Sequence, residues 1–266
     1  LKEVSADIVA RWYDDGAQTK FKSALYFCAI HGGQKMVDTL IRNIKEWSEA
    51  MRSAIAAETV FALALNGSNE ALMNVDNMSR KFKNKRVRAA AVEAMAAAAD
   101  TLGITSEELA DRIVPDLGFD RNLCRVFDYG KRQFNVYLKP SLEMEVFSGD
   151  KQIKTLPKPG TTDDKEIAEA AFNEFKDVKK QLKNVVAAQR SRLEYVLMCD
   201  RKWTSENWEK LFVGNAVMHC FAVGLIWGIY EKGSLKDTFR YMDDGSFTTA
   251  DGDEFTLPND AQIGLV

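Results

Sequence analysis

The front of the chain alternates apolar helical stretches with short polar breaks. Each of these stretches is predicted to be an apolar helix. Three stretches end at Gly32, Gly67 and Gly103, which stand 35 and 36 residues apart. Glycine suits these ends because the residue after a helix often takes a left-handed backbone conformation. A second helix is predicted after each glycine, at 35–47, 69–82 and 106–113.

This regular pairing of helices predicts a stack of repeated units. A single helix pair cannot bury its own apolar face, so neighbouring pairs must cover one another. The period, together with an alanine-rich run at 89–99, resembles HEAT-type α-solenoid repeats, where small side chains allow close helix approach. We therefore predict HEAT-like helical repeats over residues 1–115.

After Pro115 the pattern changes from a helical period to the alternation that is typical of strands. Turn residues at 129–130 and 148–150 divide the region into β-hairpins, which we expect between residues 119 and 157. The two prolines at the end of this stretch predict a stiff extended connector, because proline donates no backbone hydrogen bond to a sheet.

A long helix is predicted over residues 163–199, with Thr162 or Asp163 as its N-terminal cap. A shorter helix should follow over residues 205–214, where Trp203 and Trp208 are expected to pack together around the cap. The buried face of the long helix should contain Ala171, Phe175, Val178, Leu182, Val185, Gln189 and Val196.

The end of the chain predicts an antiparallel β-meander over residues 225–257, with strands at 225–230, 237–242, 246–249 and 254–257. Asp-Gly pairs between these stretches favour the tight turns of two-stranded hairpins. The predicted fold class is α+β, mainly α, in two domains, 1–115 and 116–266. Because the chain starts without methionine and stops in an apolar run, we expect a fragment of a longer protein.

Composition predicts a soluble globular protein, with 46% hydrophobic and 28% charged residues. The net charge of −3 argues against a surface built entirely for nucleic acid. The four cysteines lack a regular spacing, which favours a cytoplasmic location. The uncharged stretch 211–230 is long enough to cross a bilayer, but Gly214 and Asn215 interrupt it, so we expect no membrane contact.

Five strings occur in order along the chain: Asp111-Arg112-Ile113-Val114-Pro115-Asp116-Leu117-Gly118-Phe119, Phe127-Asp128-Tyr129-Gly130, Leu156-Pro157-Lys158-Pro159-Gly160, Gly224-Leu225-Ile226-Trp227-Gly228 and Phe239-Arg240-Tyr241-Met242-Asp243-Asp244-Gly245. They resemble the uncharacterised C-terminal domain of bacterial MolR-like proteins, which are named after a molybdate metabolism regulator. The resemblance implies a domain of unknown function at the end of a long protein and transfers no catalytic residue. The stretches at 123–124 and 215–218 depart from the pattern expected of that family.

Candidate catalytic chemistry is sparse. Cys28 and His31 lie three positions apart on one predicted helix, and His219 and Cys220 are adjacent, which is poor geometry for zinc. We therefore predict buried apolar cysteines and no metal or cofactor. Neither a phosphate-binding glycine loop nor a nucleophile motif occurs in the sequence. We predict no enzymatic activity, and an enzyme with a dispersed site is the third alternative.

The most suggestive surface feature is a basic helix junction at residues 80–88. Its cations are Arg80, Lys81, Lys83, Lys85, Arg86 and Arg88. Such a patch neutralises phosphates in nucleic-acid-binding proteins, but it is also typical of a solvated edge of a helical stack. We predict a non-enzymatic interaction module that binds a protein partner or other domains of the same full-length chain. Nucleic-acid or anion binding through the junction is the alternative.

Overall fold

The computed structural model describes residue 2 and residues 4–266, and for Thr19 the backbone alone. The predicted fold class, α+β and mainly α, is confirmed: helices form the front of the chain, and antiparallel sheets with further helices form the rest. The chain divides into two compact units, Leu1–Val114 and Pro115–Val266. The first is helical and the second is mixed.

The first unit consists of paired helices. The helices predicted after the three glycines are present at Gln34–Glu49, Asn69–Lys81 and Ser106–Arg112, and the helix Ser53–Leu65 packs against the helices on both sides of it, Lys22–His31 and Lys85–Thr101. A short 3₁₀ turn, Thr19–Phe21, precedes the second helix. The helices are α1 (Ser5–Asp14), α2 (Lys22–His31), α3 (Gln34–Glu49), α4 (Ser53–Leu65), α5 (Asn69–Lys81), α6 (Lys85–Thr101) and α7 (Ser106–Arg112).

Burial of apolar faces explains why these helices form. On α3, Met36, Leu40 and Ile44 recur every four residues and are fully buried. Helix α4 is apolar on nearly all sides, which suits its central place between α2, α3 and α6. Each fully buried leucine or isoleucine side chain contributes about 1.5–3 kcal/mol relative to exposure in water.

Two of the three repeat glycines have the predicted left-handed backbone. Gly67 and Gly103 have φ angles of +72° and +65°. Gly32 is extended instead, with φ −77° and ψ 149°, so the prediction is wrong there. A Cβ atom at Gly32 would lie 2.4 Å from the Cβ of Met36, so at this position glycine is required by space.

Side-chain caps define several helix starts. At α7, the Thr105 hydroxyl accepts a hydrogen bond from the backbone N–H of Glu108 at 3.1 Å, and the Glu108 carboxylate accepts one from the Thr105 backbone at 2.9 Å. This reciprocal arrangement is a capping box. It satisfies two backbone donors that an uncapped helix would leave to water.

The second unit begins with the predicted hairpins. Strands β1 (Cys124–Asp128), β2 (Gln133–Leu138), β3 (Met144–Ser148) and β4 (Lys151–Ile153) pair in sequence order as an antiparallel sheet. The buried face carries Phe127, Phe134 and Val136. Side chains alternate between the two faces of a strand, so residues between these positions face outward.

Helix α8 (Lys165–Met198) is the predicted long helix, and it contacts β1. The ring of Phe175 packs edge-on against Phe127 with centroids 5.4 Å apart. All seven positions predicted for its apolar face are buried. The cap differs from the prediction, because Asp164 accepts the backbone hydrogen bond of Ile167.

The C-terminal sheet combines predicted and unpredicted strands. Its order is β5-β9-β6-β7-β8, and every pairing is antiparallel. The helix predicted at 205–214 is a short α-helix followed by a π-helical turn, Glu209–Val213. The elements are β5 (Lys202–Thr204), α9 (Ser205–Trp208), α10 (Ala216–Val223), β6 (Ile226–Glu231), β7 (Ser234–Tyr241), β8 (Phe247–Thr248) and β9 (Gln262–Leu265).

Two parts of the predicted meander are different in the structure. Residues 254–257 form no strand, and Glu254 makes an isolated bridge to Thr248. Strand β9 pairs with β6 instead. From the sequence, the residues of β9 were described only as an apolar run at the end of the chain, and no strand was predicted there. The uncharged stretch 211–230 is divided among a π-helical turn, α10 and β6. Within the described residues, no helix combines the length and apolar character needed to span a membrane.

An aromatic cluster forms the core of the C-terminal sheet. Trp203 and Trp208, which were predicted to pack around the cap, both contact Phe212 and Trp227. Trp208 also contacts the aromatic side chains of β7 and β8. Five of these seven ring pairs have the edge-to-face geometry that aromatic pairs prefer, and the rings of Phe212 and Phe247 are tilted against that of Trp208.

Candidate interaction surfaces

The basic junction, residues 80–88, lies where α5 ends and α6 begins. Its arginines and lysines occupy the last turn of α5, the connecting turn and the first turn of α6. The structure therefore brings the cations predicted from the sequence onto one short stretch of surface. They are Arg80, Lys81, Lys83, Lys85, Arg86 and Arg88.

Two of the six cations have partners inside the protein. Arg80 forms an ion pair with Asp76, one helical turn earlier on α5. The Arg88 guanidinium donates a hydrogen bond to the backbone carbonyl of Phe82 at 3.3 Å. Both arginines are half-buried. Their side chains hold the junction together.

The other four cations are exposed. They are Lys81, Lys83, Lys85 and Arg86, and no ion pair joins any of them to another described residue. Lys81, Lys85 and Arg86 lie on helices, and the positions four residues away along those helices are Asn77, Ala89 and Ala90, none of which carries a carboxylate. Charge pairing along a helix, which needs an opposite charge three or four residues away, is therefore absent for these positions.

Asn84 fixes the turn that carries these cations. Its side-chain oxygen accepts hydrogen bonds from the backbone N–H groups of Arg86 and Val87 at 3.0 and 3.3 Å, which caps α6. Its side-chain nitrogen donates to the Ser53 hydroxyl at the start of α4, at 2.6 Å. One residue thus anchors the turn to two helices, and the cations project from an ordered backbone.

A second surface feature is apolar and was not predicted. Phe27 and Ile30 on α2 are 53% and 50% exposed, and Leu65 at the end of α4 is 52% exposed. We name these three residues the outer patch. The sequence did contain a sign of it, because α4 has more apolar positions than one buried face requires.

Hydrogen bonds join α2 and α4, the two helices that carry the outer patch. The Tyr26 hydroxyl donates to the Glu58 carboxylate at 2.7 Å, and Lys22 pairs with the same carboxylate at 2.8 Å. These two donors hold the pKa of the Glu58 carboxyl below its usual value. At the other end, the Asn66 side chain donates to the Ala29 carbonyl at 2.8 Å. The two helices are therefore joined at both ends.

The metal-site candidates do not come together. The described residues contain no group of three or more His, Cys, Asp or Glu side chains that could hold a metal ion. The His31 ring packs on Phe27 with centroids 4.7 Å apart. Cys28 and Cys220 are buried as predicted, and burial raises the pKa of both thiols, that of Cys220 to about 12. Cys199 is exposed, so the prediction of burial is wrong there.

His219 is enclosed in the second unit beside Tyr241. The Tyr241 hydroxyl lies 3.0 Å from Nδ1 of the imidazole, and Nε2 has no hydrogen-bond partner among the described residues. Burial lowers the pKa of His219, while the charge and backbone of Asp243 act in the opposite direction. The net shift is downward, so the folded protein favours the neutral imidazole.

We predict that the folded chain loses stability as the pH falls below the unperturbed histidine pKa of about 6.5. The pKa of His219 is lower in the folded state than in the unfolded state. Between these two pKa values the unfolded chain binds the proton more readily than the folded chain does. The free energy of unfolding therefore decreases as the pH is lowered. Urea unfolding at several pH values from about 7.5 down to about 5.5 measures this slope. The His219→Gln variant should show a shallower slope, and an unchanged slope would contradict the prediction.

An ion pair ties the β1–β2 hairpin to the segment before α8. The Arg132 guanidinium donates two hydrogen bonds of 2.8 Å to the Asp163 carboxylate, which also accepts one from the Gly160 backbone at 2.6 Å. The hydrogen bonds from Arg132, and to a smaller extent the one from the Gly160 backbone, lower the pKa of the Asp163 carboxyl. Nearby, the Tyr129 hydroxyl donates to the Pro157 carbonyl at 2.7 Å. Two of the family-like strings, at 127–130 and 156–160, thus have a structural role.

The chain is a mainly helical α+β protein whose main surface features are a basic junction and an apolar outer patch. A model of the family described as Domain of unknown function (DUF4132) matches residues 150–266. The chain is also similar to Uncharacterized protein YehI of Escherichia coli (strain K12), at 31% identity over 263 residues. That similarity covers 97% of this chain, which spans 22% of the length of the relative. No solved structure matches the chain.

Proposed function

We propose that this chain is a non-enzymatic interaction module within a longer bacterial protein, a MolR-like protein with a regulatory role. The MolR-like part of the proposal is supported by the five strings in the sequence, most of which lie in or near the segment matched by the family model. The interaction role is supported above all by the outer patch, where three large apolar side chains are about half exposed. Exposed apolar clusters are typical of surfaces that another protein covers.

In this proposal the helix pairs of the first unit stack as a HEAT-like solenoid. The first helices of successive pairs, α2, α4 and α6, pack side by side, and contacts also link α3 with α5 and α5 with α7. Solenoids of this kind present extended surfaces to their partners. The outer patch lies on the first helices of two successive pairs.

The proposed occupant of the outer patch is another segment of the same longer polypeptide. The E. coli relative supports this choice, because the matching region accounts for only 22% of it. A segment of the same polypeptide is held at a high effective concentration, so a small apolar patch is enough to bind it. The relative carries no description of an activity, so the partner is proposed from this chain's surface and length alone.

The non-enzymatic part of the proposal is supported by the state of the reactive side chains. Cys28 and Cys220 are buried with raised pKa values, which keeps the thiols protonated and unreactive. His219 is enclosed beside Tyr241 in the second unit. We place the protein in the cytoplasm because its cysteines are unpaired in the described structure.

The first test determines the full reading frame of the gene that encodes this chain and then measures binding. If the reading frame extends beyond this chain, the flanking polypeptides are produced separately and titrated against the 266-residue chain. We expect binding that is weakened at least tenfold by Phe27→Glu together with Leu65→Glu. A matched control replaces Val126 and Tyr137, which are exposed apolar residues of the second unit, by glutamate.

Several results would overturn the proposal. One is a reading frame that ends with this chain, and another is the absence of binding to any flanking piece. Equal losses in the outer-patch and control variants would also overturn it, because such a result means that any added charge is enough. Circular dichroism of each variant checks that it is folded before titration.

A further inference from the structure

We propose that the basic junction binds the phosphate backbone of nucleic acid, a function beyond that proposed for the outer patch. The residues that would contact phosphates are the exposed ones, Lys81, Lys83, Lys85 and Arg86. Arg80 and Arg88 are assigned to the fold, because the first pairs with Asp76 and the second with the Phe82 carbonyl. The surface thus separates into supporting and available cations.

Two of the available cations, Lys85 and Arg86, do not stabilise the helix that carries them. Lys85 and Arg86 lie in the first turn of α6, where the helix dipole disfavours positive charge, and that turn contains no acidic residue. No carboxylate one turn away along the helix compensates them. Positive charge that destabilises its own helix and has no compensating carboxylate on that helix is typical of residues that serve binding.

The backbone under these cations is ordered, which favours binding. Asn84 caps α6 through two backbone N–H groups and reaches the Ser53 hydroxyl of α4 at 2.6 Å. The Arg88 guanidinium closes the turn from the other side by its hydrogen bond to Phe82. A surface that is already ordered loses less conformational entropy when a ligand binds.

Nucleic acid fits this surface better than an acidic protein does. Protein interfaces usually depend on buried aromatic or apolar anchors at their centre. Within the junction, residues 80–88, no large apolar side chain is among the exposed ones of the described chain, and the first exposed one after it is Val92 on α6. Lysine and arginine side chains alone are sufficient for phosphate contacts, which do not read the base sequence. The net charge of the protein is −3, so attraction of phosphates depends on local groups of cations such as this one.

The test is fluorescence anisotropy of labelled single-stranded and duplex oligonucleotides of mixed sequence against the full chain. Four phosphate contacts predict that the logarithm of the binding constant falls with the logarithm of salt concentration, with a slope of about −3 to −4. Lys83→Glu together with Arg86→Glu should weaken binding at least tenfold and make the slope shallower. The control, Lys179→Glu with Lys183→Glu on α8, changes the net charge equally at exposed positions and should bind as the unaltered chain does.

The arms of the experiment separate the outcomes. Salt-dependent binding of either oligonucleotide, lost in the junction variant and kept in the control, supports the proposal. The oligonucleotide that binds more tightly shows whether the single-stranded or the duplex form is preferred. Absence of binding at low salt overturns it, as does an equal loss in both variants. Equal or tighter binding of a poly-glutamate peptide of the same charge also overturns it, in favour of an acidic protein partner. Thermal unfolding of each variant confirms that it is folded.

Discussion

Replacing Trp208 by alanine should lower the free energy of unfolding of the second unit by about 3–5 kcal/mol. The side chain is 0% exposed, and its ring contacts five aromatic rings from α9 to β8. Removing it leaves a cavity that rigid neighbours on three strands, β6, β7 and β8, cannot fill. The rings are those of Phe212, Trp227, Phe239, Tyr241 and Phe247. Hydrogen exchange in increasing urea, followed on peptides from each unit, measures the loss where it occurs.

Two comparisons make this prediction specific. Trp208→Phe should cost less than Trp208→Ala, because it keeps an aromatic ring and removes an indole N–H that has no partner among the described residues. Phe27→Ala, at a position 53% exposed, should change stability by less than about 1 kcal/mol. An alanine variant at 208 as stable as the unaltered protein would show that the aromatic cluster does not support the sheet.

Replacing Gly32 by asparagine should destabilise the first unit by about 1–3 kcal/mol through overpacking. A Cβ at this position would lie 2.4 Å from the Met36 Cβ and 2.7 Å from the Cys28 carbonyl oxygen. Neither the backbone carbonyl nor the first side-chain carbon of Met36 can move without shifting its helix. Urea unfolding of the first-unit peptides, read by hydrogen exchange, gives the difference.

The matched control is the same substitution at Gly67, the corresponding glycine of the next pair. Its φ is +72°, and a Cβ there would meet nothing within 4 Å. Asparagine tolerates the left-handed conformation better than other residues with a side chain, so Gly67→Asn should cost only a small part of what Gly32→Asn costs. Equal losses at the two positions would show that backbone conformation, and not space, is the reason for glycine at both.

The parts of the fold that follow from short-range chemistry were predictable. The capping box at Thr105 and the hairpin turn at Gly130 each involve residues within a few positions of one another. Strand β9 was missed because its partners, β5 and β6, lie far away in the sequence and its own four residues carry no turn or cap. Helix α10 was missed because Asn215 was interpreted as a break, whereas its side chain caps the helix.

The candidate surfaces were also predictable from the sequence only in part. The basic junction was visible in the sequence because its cations are consecutive or nearly so. The sequence did not show which of these cations are available to a ligand, because the Arg88 contact with the Phe82 carbonyl depends on the shape of the turn. The outer patch combines α2 and α4, and its exposure depends on which sides of α4 its neighbours cover. Packing between helices decides that, and the sequence of one helix does not contain it.

The side chain of Asn66 bears on how this protein can be shortened. Its amide donates to the carbonyls of both Ala29 and Gly32, at 2.8 and 3.1 Å, so the end of α2 receives its hydrogen bonds from the pair that follows. A truncated chain that stops after α3 would leave these carbonyls to water and would uncover the apolar side of α2 that α4 now covers. A shortened first unit should therefore retain Asn66 and α4, and a boundary directly after α3 should be avoided.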